Sequence, residues 1–435
     1  NYHEKYLAEL QMRVDGSSTF PKGNQYGYFP SVSAGWRISK ESFFNVGFIN
    51  DLKLRASYGR LGNDNVGLFQ YLNNYSLNNQ LVLGGNVVPG IDLTKLANEK
   101  IHWETAEKTD IGLEAIFLKK FFVELIYFQQ KRSNILAIRN ASIPFVTGIV
   151  NPFGAGSLVP SENIGKVNNN GFEATLGYNN KTRSGFTYGI NGNITYAKSK
   201  IVFIDEASGV LDYQRQTGRP LNTYLLYNAI GIFRTADDLT KYTKLDGNVN
   251  KLGDLIYEDY NKDGKISADD QVRTKYGNIP EITYGVMLNA GYKNFDIIAV
   301  FAGQAHVSQY VLPESGTIGN FYSSWADNRW SPTNTAGTFP RVDTRASASV
   351  NGGLYNSTFW LNNASFLRLK NVELGYNLSP EWLAKTKMEG FRVYLNAFNL
   401  FTITKVKDYD PEGSSGSGQF YPQQRIINVG VNVYF

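Results

Sequence analysis

The stretch "RIINVGVNVYF", residues 425–435, decides the fold. Ile427, Val429, Val431, Val433 and Phe435 fall on one face of an extended chain, and Ile426, Asn428, Gly430, Asn432 and Tyr434 on the other. Side chains along a strand point to alternate faces, so a period of two with one wholly apolar face describes a strand between two different solvents. The pattern recurs upstream. In "FRVYLNAFNLF" (391–401), Phe391, Val393, Leu395 and Ala397 oppose Arg392, Tyr394 and Asn396. In "KFFVELIYFQQ" (120–130), Phe121, Val123, Leu125 and Tyr127 oppose Phe122, Glu124 and Ile126. One reading is an antiparallel sheet with a single wet face. The other is a transmembrane barrel whose apolar face meets lipid and whose polar face meets a lumen. The segments run to about 10–15 residues, longer than the usual strand of about 5 or 6, which favours the barrel.

The connections favour it too. Short turns occur at 118–120, 180–183 and 293–294, and long connections at 62–106, 133–167, 307–361 and 402–423. Outer-membrane barrels have short periplasmic turns and long extracellular loops. Placing the short turns in the periplasm gives twelve spanning segments: 3–14, 26–39, 51–61, 107–118, 121–132, 168–179, 184–198, 281–292, 295–306, 362–378, 389–401 and 424–435. The segment "NTYLLYNAIGIF" (222–233) lies between an ascending and a descending strand, so it cannot cross once. It is assigned to an extracellular element; the alternative is a pair of short crossings within 199–234. The following loop, 235–280, is then extracellular as well. Tyr28, Phe29 and Trp36 fall near strand ends, where aromatic residues line the membrane interface.

Composition agrees. The chain has 28 Tyr, 27 Phe and 42 Gly, against 3 Met. No apolar run is long enough for a transmembrane helix, but barrel strands hide their signal in short alternating segments. The net charge of +5 is spread thinly, which argues against a nucleic-acid partner. The absence of cysteine excludes thiolate chemistry and disulfides. His3, His102 and His306 are far apart, Glu104 and Glu107 read as strand or rim charges, and no hydrolase, zincin or phosphate-loop motif occurs, so the chain does not read as an enzyme. It opens inside a strand pattern at "HEKYLAELQMRV" with no leader visible, and so reads as the C-terminal part of something larger.

Two loop segments carry candidate sites. "DYNKDGKISADD" (259–270) has the spacing of a twelve-residue calcium loop, in which oxygen ligands come from positions 1, 3, 5, 7, 9 and 12 and Gly stands at 6. The expected ligands are Asp259, Asn261, Asp263, the carbonyl of Lys265, Ser267 through water, and Asp270, with Gly264 at the sharp turn. Hard oxygen donors suit Ca2+, here as a structural clip, since no helix pattern flanks the loop. The competing reading is a solvated Asp/Asn/Gly turn. The second segment, "GNFYSSWADNRWSPTN" (319–334), places Phe321, Tyr322, Trp325 and Trp330 near Asp327, Asn328 and Arg329. Flat aromatic faces beside planar hydrogen-bonding groups suit sugars, so Tyr322, Trp325, Asp327, Arg329 and Trp330 are expected to touch substrate or a partner. Packing within the loop is the plainer alternative.

Laid out in this order, the segments resemble the C-terminal barrel half of SusC/RagA-like TonB-dependent outer-membrane transporters of Bacteroidetes. The resemblance is carried by "RVDGSSTF" (13–20), "YGYFPSVSAGWRIS" (26–39), "LKLRASYGRLGN" (52–63), "WETAEKTDIGLEA" (103–115) and "IGKVNNNGFEATLGY" (164–178). It continues through "GDLIYEDYNKDGKI" (253–266), "GNIPEITYGVMLNAGYKNFDI" (277–297), "ASFLRLKNVELGYNL" (364–378) and "FRVYLNAFNLFTITKVKDYDPE" (391–412). The resemblance implies a barrel of about 22 strands filled by an N-terminal plug, of which residues 1–435 would supply the last twelve strands. It implies outer-membrane import of a large nutrient, a glycan or else an oligopeptide, energised by TonB acting outside this chain. It also implies a SusD-like surface lipoprotein seated over the loops as a lid, and a terminal aromatic, Phe435, read during barrel assembly. A calcium-stabilised surface protein for adhesion is the alternative from a different class.

Overall fold

Strand geometry follows from the alternation. The computed structural model of the chain describes residues 1–139, 141–143, 145–147, 149, 158–245, 250–312, 322–342, 355–385, 388–413 and 421–435. Its principal strands are β1 (Tyr6–Gly16), β2 (Tyr26–Arg37), β3 (Ile49–Asn63), β4 (Glu104–Phe117), β5 (Phe121–Ile138) and β6 (Ser161–Lys181). They continue with β7 (Thr187–Phe203), β8 (Ile282–Tyr292), β9 (Phe295–Ala305), β10 (Phe366–Asn377), β11 (Gly390–Phe398) and β12 (Ile426–Tyr434). These strands are hydrogen-bonded in sequence order, and the short strand Thr402–Thr404 adds to β10 beside them. Each segment assigned from the alternation coincides with one of them. The few helices among the described residues are short, and none is long and apolar enough to cross a membrane.

The chain divides into two compact units. The first comprises Asn1–Ala174, Ala197–Val210 and Arg215–Pro220. Here β1 to β5 pair antiparallel. Their register brings Tyr6, Trp36, Leu54, Leu113 and Leu125 into one cross-strand row, and Ala8, Ala34, Ala56, Ile111 and Tyr127 into the next. Large members of this face stand exposed, and Leu10 on the same face is 84% exposed. A water-facing sheet would hide such a band; a band this size is left bare only for an apolar neighbour. The opposite face carries ions. Arg55 donates to Glu114 at 2.8 Å and to Glu124 at 2.9 Å, and Lys53 lies 3.3 Å from Glu114. At the loop end, Phe20, Phe29, Ile101 and Trp103 form a buried cluster. Phe29 is 6% exposed and packs on Trp103, which corrects its expected place at the membrane interface. The reason is parity. Phe29 opposes Arg13 on the polar face, while Tyr28 and Trp36 lie on the apolar face and are exposed.

The long connection 62–106 also contains a hairpin of Asn74–Leu83 and Asn86–Lys95 that the alternation analysis did not assign. Gly84 and Gly85 turn it with φ of +58° and +82°, the left-handed pair that a tight hairpin turn requires.

The second unit comprises Thr175–Tyr196, Leu211–Gln214 and Leu221–Phe435. Antiparallel register aligns Ala290, Ile297, Leu374, Leu395 and Val429 on the apolar face. It aligns Asn289, Ile298, Glu373, Asn396 and Asn428 on the other. Arg392 bridges Asp296 at 2.6 Å and Glu373 at 2.8 Å on that polar face. Near the short turns the apolar face turns aromatic: Phe295 and Tyr376 pack 4.8 Å apart, and Phe186 stacks on Tyr188 at 5.6 Å.

The segment 222–233 lies outside the main sheet. It forms two short strands, Thr223–Tyr227 paired with Gln271–Gly277 and Ala229–Ile232 paired with Leu255–Tyr257. At the same end of this unit, Ser308–Tyr310 pairs with Leu361–Asn363.

Candidate functional site

The loops of the second unit have cores of their own. Tyr227, Ile232, Leu245, Leu255, Tyr257, Ile266 and Trp330 form one, with Tyr355 and Phe359 against it. Leu312, Trp325 and Trp360 form another. Burial in the first core pushes the Tyr227 phenol up to about 12. Packed loops of this kind are preformed walls rather than tethers.

Residues 259–270 turn sharply around Gly264. Gly264 has φ +87°, a conformation that favours glycine. The Asp259 carboxylate accepts the N–H of Asp263 at 3.1 Å and of Gly264 at 2.9 Å. Asn261 Oδ1 accepts the N–H of Asp263 at 3.0 Å, and Asp263 Oδ1 that of Lys265 at 3.1 Å. Asp270 is fully buried, and both its oxygens are engaged. Oδ1 accepts from Tyr260 N at 2.8 Å and Asn261 N at 3.3 Å, and Oδ2 from Ser267 N at 2.8 Å. Asp270 therefore fastens the two ends of the loop together. Ser267 caps the short turn Ala268–Asp270. Ile266 inserts into the loop core and donates its N–H to the Lys244 carbonyl at 3.2 Å. Among the described residues no group of three acidic or histidine side chains is gathered tightly enough to hold a metal. Asp259, Asn261 and Asp263, like Asp270, turn side-chain oxygens onto backbone N–H groups of the loop itself.

The aromatic segment is divided by burial. Trp325 is 0% exposed, donates Nε1–H to the Pro340 carbonyl at 3.0 Å and packs 4.6 Å from Trp360. Trp330 is 8% exposed and sits in the first loop core. Both are packing residues, which corrects the expectation that they touch substrate or a partner. An indole buries more apolar area than almost any other side chain, so the loop uses these two for its own core. Tyr322, Asp327 and Arg329 remain exposed, with Arg329 bonded to the Ala326 carbonyl. Phe321 lies outside the described residues. Of the histidines, His306 stacks on Tyr276 and its Nδ1 lies 3.2 Å from Glu281, while Glu104 pairs with Arg132.

The sequence reading missed a cluster around Arg368. This guanidinium is 1% exposed on the polar face of β10, at its loop end. It donates to Thr402 Oγ1 and to Asp410 at 2.8 Å each, and to Glu412. Lys370 joins Glu412 at 2.9 Å, and Gln309 Nε2 donates to the carbonyls of Asp410 and Gly413. Residues 410–413 are thereby pinned as a ridge, and two cavities share its Pro411. The first, about 350 Å3, is lined by Tyr224, Asn278, Gln304, Ser308, Tyr310 and Glu412 among others. The second, about 400 Å3, is lined by Tyr322, Arg368, Lys407, Asp408, Tyr409 and Gln423 among others. Each holds a tyrosine pair: Tyr224 and Tyr310 lie 6.0 Å apart, Tyr322 and Tyr409 5.3 Å apart. A lone arginine alternating with apolar neighbours in "FLRLKN" (366–371), followed later by "YDPE" (409–412), was the available signal.

Comparison with known proteins follows the geometry. The family described as TonB dependent receptor-like, beta-barrel, matches residues 1–400. TonB-dependent receptor P3 of Formosa agariphila is 31% identical over 100% of this chain, which covers 44% of that protein. TonB-dependent receptor SusC of Bacteroides thetaiotaomicron is 30% identical over 99% of this chain and 42% of its own length. A solved structure of the RagAB peptide transporter superposes with a TM-score of 0.76 at 22% identity, over 99% of this chain and 46% of that one. The last likeness speaks to fold alone. The chain thus spans less than half the length of the curated relatives it matches.

Proposed function

The chain belongs to the TonB-dependent receptor-like β-barrel family, and from that premise we propose that it is the barrel part of an outer-membrane importer of the SusC/RagA type. In this reading the apolar face meets lipid, the ion-paired face lines the passage, and the packed loops lie outside the cell. A SusD-like lipoprotein closes over the loops. TonB supplies the energy through a part of the protein that precedes these residues. The family is one of transporters, not enzymes. The observation that carries the reading is the two-faced sheet, with one face bare and apolar and the other laced by the Arg55–Glu114–Glu124 and Arg392–Asp296–Glu373 pairs. Glycan is the favoured cargo, because tyrosines beside amide and charged hydrogen-bonding side chains at the loop end suit hydroxyl-rich ligands. An oligopeptide is the second reading, favoured by the likeness to a transporter described as carrying peptides. The test is uptake of labelled oligosaccharide and oligopeptide by cells with and without the gene, each with TonB intact or disrupted. Oligosaccharide uptake that needs both supports the reading; uptake unchanged by deleting the gene contradicts it.

We also propose that Ca2+ occupies the loop among Asp259, Asn261, Asp263, the Lys265 carbonyl and Asp270, as a clip on 235–280. Chelation, or the double change Asp259→Asn and Asp263→Asn, is expected to expose this loop to protease while the barrel stays folded. Equal protease resistance with and without Ca2+ would remove the clip.

A further inference from the structure

The two cavities at the Pro411 ridge share a construction that neither the fold nor the import activity requires. Each presents a tyrosine pair, and each adds hydrogen-bonding side chains to its lining. Gln304, Asn278 and Glu412 serve the first, and Gln423, Asp408 and Lys407 the second. Neither cavity relies on an unpaired buried charge, because Arg368 neutralises Asp410 and Glu412 within the ridge itself. At about 350 and 400 Å3, each is at the small end of the range for ligand pockets, with room for a unit or so of a polymer rather than its length. The ridge is rigid, held from one side by Arg368 and from the other by the Gln309 amide.

We propose that these cavities are neighbouring subsites of one oligosaccharide track, with successive sugars seated on Tyr224/Tyr310 and on Tyr322/Tyr409 and the chain crossing at Pro411. Aromatic faces take the C–H faces of a sugar, while amides and carboxylates accept or donate to ring hydroxyls in the ring plane. Tyr322 joins the track from the segment whose two tryptophans are buried. The assignment rests on the glycan reading above and adds where, and through which side chains, the ligand is held.

The test uses the full-length transporter with its natural partner in detergent, titrated calorimetrically with neutral glucan and mannan oligosaccharides from disaccharide to hexasaccharide. A matched ladder of neutral oligopeptides is titrated alongside. Tyr322→Ala strips the exposed ring from one cavity, and Asn278→Trp fills the rim of the other. Loss of a ring contact of about 0.5–1.5 kcal/mol corresponds to roughly a two- to tenfold weakening. Tyr322→Ala is expected to weaken the hexasaccharide by about that factor, Asn278→Trp to weaken it by blocking the first cavity, and the double variant by the product of the two effects. A disaccharide is expected to respond to only one of the two. Tyr322→Phe, which keeps the ring, retains wild-type affinity and so separates stacking from misfolding. Hexasaccharide binding that is equal in wild type and both variants overturns the subsites and leaves the glycan reading standing. Binding of oligopeptides with no oligosaccharide bound overturns both.

Discussion

Glu41 fastens the turn that follows β2. Its carboxylate accepts from the Tyr6 hydroxyl at 2.6 Å, Trp36 Nε1 at 3.1 Å and Lys5 Nζ at 3.0 Å. These hydrogen bonds, that of Tyr6 foremost, hold its carboxyl down at about 2, well below the usual carboxylate range. A depressed acid stabilises the fold above its unfolded value, and that contribution is lost as pH falls through the folded one. Hydrogen exchange in residues 38–48 is therefore expected to accelerate as pH drops from about 4.3 toward about 2 once intrinsic rates are divided out. Glu41→Gln should abolish the pH dependence; the same acid response in both proteins would refute the clasp. Arg368 makes a second prediction at this scale. Removing one partner of a buried ion cluster costs about 3–5 kcal/mol, whereas an exposed pair is worth at most about 1 kcal/mol. Arg368→Ala should thus lower the thermal resistance of segment 402–413 to protease far more than Lys370→Ala does. Individual residues were the least legible part of the chain. Parity alone predicts that Phe29 faces inward, but an aromatic near a strand end fits an interface girdle equally well. Trp325 and Trp330 look like ligands' partners until two separate loop cores are there to receive them, and the core of Trp330 draws on residues as far back as Tyr227.

At the scale of elements, alternation was enough to place the principal strands, because a sheet between lipid and water imposes opposite demands on successive side chains. The same logic predicts the cost of violating it. Leu10 is on the apolar face of β1 and Gln11 on the polar one. Leu10→Arg should cost about 2–4 kcal/mol if its depth is near the middle of the bilayer. Gln11→Arg should cost less than about 1 kcal/mol; refolding equilibria in lipid vesicles measure both. Equal costs would mean that the two faces meet the same solvent. The break of parity at 222–233 was also legible, and the segment indeed pairs outside the main sheet. The hairpin within 62–106 was not read, although Gly84–Gly85 between runs of Leu and Val is a hairpin signal. Inside a connection already classed as a loop, nothing in the two-solvent pattern marks such a ribbon. The calcium-like loop was legible in its turn chemistry. The contacts of Asp270 were not, since spacing alone does not show that both its oxygens accept N–H groups across the loop.

For the molecule as a whole, the account stands on the claim that its strands separate lipid from a watery interior. These 435 residues contain no cysteine, so a single-cysteine scan reads each position without background from them. The scan runs along β11 and β12, whose paired rows are Phe391–Val433, Val393–Val431 and Leu395–Val429 on one face and Arg392–Asn432 and Tyr394–Gly430 on the other. A fluorophore is attached at each position in the full-length protein, reconstituted in vesicles, and quenched from the acyl-chain phase or from water. Quenching by lipid at 391, 393, 395, 429, 431 and 433, and by the aqueous agent at 392, 394, 430 and 432, is the predicted result. Aqueous quenching at every position, with no alternation, would contradict it.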